Sequence, residues 1–136
     1  MIDQQEAFIR RFIVEEKQQR YLGFLSKSTT RGKFLSELYH SLAIKASLAV
    51  EVPSKERFVE KVEQRLREKG AGDKVYVVSP NSDCDRQWMS LTEALRITID
   101  DTTEAIVCCT LGELAFYRSE DTAWILFNAK RKSRGK

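Results

Sequence analysis

The chain has 136 residues, 42% hydrophobic and 32% charged, a size that suits one core and a charged share above the roughly 25% of an average soluble protein. No apolar run approaches the ~20 residues of a membrane helix, and the N-terminal "MIDQQEAFIRRF" lacks the basic-then-apolar order of a signal peptide. Three cysteines with no close CxxC exclude a disulfide framework and a zinc site, so a soluble, cytoplasmic protein with reduced thiols is expected.

The net charge of +3 is unevenly spread. Residues 1–69 carry 14 basic and 10 acidic side chains, residues 70–129 carry 4 and 10, and residues 130–136 carry 5 basic and none acidic. The basicity therefore belongs to a tail, and any case for nucleic acid begins there.

In chain order, Phe8, Ile9, Phe12 and Ile13, then Tyr21, Leu22 and Leu25, recur at helical spacing and predict one long helix over about 3–25, capped by Asp3 and solvated along "EEKQQR". "SKSTTRGK" breaks it and offers a Ser or Thr cap for a second helix, whose face is Phe34, Leu35, Leu38, Tyr39 and Leu42 and whose end falls near Ile44 or Ala46. "ASLAVEVP" alternates like a strand and equally suits a helix end; Pro53 stops regular helix before it. A third helix follows in "SKERFVEKVEQRLREKG", with Ser54 as N-cap, a stripe of Phe58, Val59, Val62 and Leu66, a basic last turn and Gly70 as C′.

From Lys74 the period becomes that of strands. "KVYVVS" predicts one strand, and "EAIVCCT", "LAFYR" and "AWILFN" predict an antiparallel meander within 104–128, with Tyr117 and Trp124 paired across it. Between them Ser90 and Glu93 form a capping box for a short helix bearing Leu91, Ala94, Leu95 and Ile99. The expected fold is α+β: three N-terminal helices packed on one face of a small, mostly antiparallel four-stranded sheet, with one further short helix. A single domain spans 1–129, helical over 1–70 and sheet over 73–129, followed by the basic tail 130–136.

The cluster "SPNSDCD" invites a chemical reading and resists it. Cys84 stands between Asp83 and Asp85, whose charges favour thiol over thiolate, and a catalytic pairing with the lone His40 has no support in the sequence. Asp83, Asp85, Asp100 and Asp101 could offer oxygen ligands, but an EF-hand counted from Asp83 places Trp88 and Ala94 where glycine and glutamate are required. "TTRGKF" fails as a P-loop, having Lys27 for the first glycine and Phe34 for Ser or Thr. No catalytic residue, metal or cofactor is assigned.

Two sets of binding candidates remain. Asp83, Asp85, Trp88 and Met89 are read as partner contacts, tryptophan being enriched at interface hot spots. Lys27, Arg31 and Lys33 crowd a helix N-terminus where an anion is favoured, and Lys130, Arg131, Lys132 and Arg134 could meet phosphates. The leading expectation is a non-enzymatic protein-binding or adaptor protein, with a protein partner or a second copy. A nucleic-acid binder using the tail and the Lys27/Arg31/Lys33 patch is the alternative, and an enzyme acting through Ser79–Asp85 comes third; no membrane partner is expected.

Overall fold

The computed structural model describes residues 3–128. The Asp3 carboxylate accepts the Glu6 N–H at 2.7 Å and opens helix α1, Gln4–Phe12, which buries Phe8, Ile9 and Phe12. One long helix was expected here, and there are two. At Ile13 the backbone turns extended (φ −89°, ψ 140°) because the chain pairs with a later segment: the Val14 N–H donates to the Ala43 carbonyl (2.9 Å), and the Lys45 N–H to that of Phe12 (2.7 Å). Helix α2, Glu15–Leu25, then restarts.

Helix α3, Arg31–His40, buries Phe34 and Leu38, while Tyr39 of the expected apolar face remains 38% exposed. Its end comes several residues early for a visible reason. The Tyr117 hydroxyl accepts the Leu42 N–H (2.9 Å) and donates to the Leu38 carbonyl (2.7 Å), and the Tyr21 hydroxyl accepts the Ala43 N–H (3.3 Å). These phenols hold residues 41–43 out of the helix. A 3₁₀ turn at Ala46–Leu48 and strand β1, Ala49–Glu51, resolve the ambiguous "ASLAVEVP".

Ser54 opens a 3₁₀ turn, not the helix itself; helix α4, Val59–Glu68, begins after Phe58, which is half exposed rather than part of the stripe. Its end is as expected. Gly70 takes φ 111°, its N–H donates to Arg67 and that of Ala71 to Leu66, the paired bonds of a Schellman cap. Strand β2 is Lys74–Val78 and β3 Gln87–Ser90; Ser90 then caps helix α5, Leu91–Leu95, through the Glu93 N–H (3.1 Å). A π-helical turn, Arg96–Asp100, extends α5, with the Thr98 hydroxyl donating back to the Ala94 carbonyl (3.0 Å) and Arg118 reaching the Thr98 carbonyl (3.2 Å).

The meander follows as β4 (Ala105–Thr110), β5 (Leu114–Arg118) and β6 (Ala123–Phe127), with Tyr117 opposite Trp124 as expected. The α+β class holds, but the sheet has six strands instead of four, antiparallel throughout in the order β1-β6-β5-β4-β2-β3. The two added strands are its edges, three and four residues long: β1 falls in the segment whose alternation equally suits a helix end, and β3 falls where the sequence reads as loop. Helices cover both faces, not one. Val75, Val77, Val107, Phe116 and Ile125 face α4 and α5, while Val78, Ile106, Cys108, Tyr117 and Leu126 face α1, α2 and α3. Vicinal Cys108 and Cys109 thus point into opposite cores, both as free thiols.

Candidate functional site

The loop from Ser79 to Arg86 uses several of its polar groups on its own backbone and on neighbouring elements. The Ser79 hydroxyl donates to the Glu104 carbonyl (2.6 Å) and accepts the Asn81 N–H (3.0 Å); the Asn81 side-chain oxygen accepts the Asp83 N–H (2.9 Å); Asp85 accepts the Ser79 N–H (3.0 Å). Across this loop lies Arg31. Its guanidinium meets Asp85 through two bonds, Nη2 to Oδ1 at 2.8 Å and Nε to Oδ2 at 3.3 Å, and donates from Nη1 to Gln5 Oε1 at 2.6 Å. The two side chains are 8% and 12% exposed. A candidate anion contact and a candidate partner contact are therefore partners of each other, so Arg31 does not stand with Lys27 and Lys33 at the surface and Asp85 is no exposed contact.

Cys84 is buried, and that burial raises its thiol above the ordinary value, with Asp85 and Asp83 adding to the effect against a hydrogen bond from Ser79. His40 lies nine residues beyond Arg31 on α3, about 13 Å along the helix axis, where its Nδ1 is 3.3 Å from Glu120. The two are not brought together. Among the described residues no group of three or more His, Cys, Asp or Glu could hold a metal ion, and no helix is long and apolar enough to cross a membrane.

At the β3 edge the candidates separate. Met89 is half-buried against the α4–α5 core, whereas Trp88, 55% exposed, points to the opposite face. There it packs on Tyr76 of β2, directly opposite in register, with ring centroids 5.2 Å apart and planes at 60°. Arg86 sits at φ 61° and donates its N–H to Val77, while Gln87 pairs with the same residue, so two residues oppose one and a bulge twists the start of β3. The Leu91 N–H to Asp73 carbonyl bond (2.8 Å) marks a hydrogen-bonded position; by alternation Met89 is another and Trp88 is not. The Trp88 backbone therefore turns its N–H and C=O outward along the free edge. Asp83 is exposed in the preceding loop.

Lys27 and Lys33 are exposed and have company the sequence did not announce. Arg20 Cζ lies 5.0 Å and Lys33 Nζ 5.9 Å from the centroid of the Phe24 ring. Tyr76 and Phe24 are the functional candidates missed; the signal for Phe24 was its spacing from Lys17 and Arg20, and for Tyr76 its place between Val75 and Val77 on a strand. Lys130, Arg131, Lys132 and Arg134 lie outside the described residues.

Comparison with known protein families, characterised proteins and solved structures gives no match for this chain.

Proposed function

We propose that the protein is a binding module that takes an extended segment of a partner protein along the free edge of β3, with Trp88 as the anchor. The observation that carries this reading is the exposed indole on an edge strand, packed at a tilt against Tyr76 with its backbone donor and acceptor facing out. An added strand would gain main-chain hydrogen bonds from the edge and a large apolar contact from the indole. Asp83 and Arg86, on the loop leading into β3, would favour segments with charge at matching positions.

The enzymatic reading of Ser79–Asp85 loses support from the same geometry. Ser79 is already bonded to the Glu104 carbonyl and Asp85 to Arg31, and Cys84 is buried and raised toward the neutral thiol. Selection from a displayed peptide library tests the binding module. Peptides that bind the native protein should lose about tenfold or more affinity for Trp88→Ala, the scale of an interface hot spot, and should perturb the β3 amides in a heteronuclear NMR titration. Enriched peptides indifferent to Trp88→Ala and leaving β3 unperturbed sink the proposal. A mass that doubles with concentration, and is restored to monomer by Trp88→Ala, would identify the partner strand as a second copy.

A further inference from the structure

The exposed face of α2 and the segment after it carry cations that form no ion pair among the described residues. Lys17, Arg20 and Phe24 are spaced three and four apart and share one helical face; Lys27 stands in the turn that follows, and Lys33 joins from α3. From Lys17 to Phe24 the helix rises about 10 Å. All four cations are exposed, and among the described residues none of the four is paired with a carboxylate. Phe24 draws Arg20 and Lys33 to a single ring from two different helices, fixing like charges side by side where repulsion would otherwise spread them.

We infer that this face binds the phosphate backbone of a nucleic acid. A polymer with regularly spaced charge matches cations strung along a helix better than a single small anion does, and neutralising phosphates releases condensed counter-ions. The exposed hydroxyls of Ser28 and Thr29 beside Lys27 add donors suited to phosphate oxygens. A lipid surface fits less well: Phe24, the ring among these cations, is only half-exposed and is engaged by Arg20 and Lys33, and the exposed large hydrophobic residues Tyr39, Val50, Phe58, Trp88 and Leu111 lie outside α2. Arg31, which the sequence placed in the same group, is excluded by its pairing with Asp85.

The test is fluorescence anisotropy of labelled mixed-sequence 20-nucleotide RNA and DNA with the full chain, over 50–200 mM salt. Three proteins are compared: native, the quadruple variant Lys17→Gln, Arg20→Gln, Lys27→Gln, Lys33→Gln, and a variant with Lys130, Arg131, Lys132, Arg134 and Lys136 all changed to Gln. The expected result is a quadruple variant with unchanged thermal midpoint, at least tenfold weaker binding, and a slope of log affinity on log salt reduced by about 0.7 per cation lost on a single strand. The contribution of the α2 face should persist in the tail variant. Native protein that fails to bind at 50 mM salt, loss confined to the tail variant, or tighter binding to phosphatidylserine vesicles or polyglutamate than to either nucleic acid would each overturn the inference.

Discussion

Arg31 and Asp85 sit 54 residues apart in the chain and share two hydrogen bonds in a poorly solvated place. Removing one partner leaves the other charge buried and unpaid, so Asp85→Asn and Arg31→Met should each cost about 3–5 kcal/mol, whereas the double variant should recover much of that loss. Urea unfolding of all four proteins reads the coupling; additive single losses would mean that the pair contributes nothing beyond its separate packing. Burial also fixes the ionisation of the thiols and phenols. Cys108, enclosed between the sheet and α1, is pushed by desolvation, with a smaller push from Asp3, from an ordinary 9.0 up to about 12, and Tyr117 is raised for the same reason. The native state then holds these protons more tightly than the unfolded chain does. The resulting stability is whole below pH 9 and is lost as pH rises from about 9 toward 12. Thermal midpoints should fall over that range, and Cys108→Ala should flatten the fall; a native midpoint unchanged between pH 9 and 11 would refute it.

Among the elements, local chemistry was legible and tertiary chemistry was not. The Asp3 and Ser90 caps and the Gly70 C′ stand where the sequence put them, because a cap is satisfied within three or four residues. The break at Ile13 and the early end of α3 depend on residues far along the chain, Ala43 in one case and Tyr117 in the other. Tyr117→Phe tests the second dependence. With the hydroxyl gone, the Leu42 N–H and Leu38 carbonyl lose a buried partner, which should cost about 1–3 kcal/mol in urea unfolding and speed hydrogen exchange at the Leu42 amide. Unaltered exchange there would assign the helix end to another cause. The site shows the same division: Trp88 and Lys27 could be singled out as candidate contacts by residue type and neighbourhood, but the exposure of the first on a sheet edge and the ring that organises the cations near the second required the pairing of strands and helices.

For the whole molecule, the α+β class follows from helical periods before residue 70 and strand periods after it. That both sheet faces are covered also had a trace in the sequence, since "AIVCC" and "AWILF" are continuous apolar runs rather than alternations, the pattern of strands buried on two sides. The position of β1 was beyond reach because it adds to β6, pairing Val50 with Ile125. That pairing has a temporal side. The fully buried strand residues against which α1, α2 and α3 pack their apolar faces all lie between Val78 and Leu126, and β1 has no strand neighbour until β6 exists. A chain growing toward its C-terminus therefore displays three amphipathic helices and an unpaired strand until β4, β5 and β6 have been made, and the last 30 or so described residues convert them together into one cooperative structure. Long-range closure of this kind slows folding relative to local contacts and leaves apolar surface exposed while it waits, so the nascent protein has more need of a chaperone than its finished surface suggests.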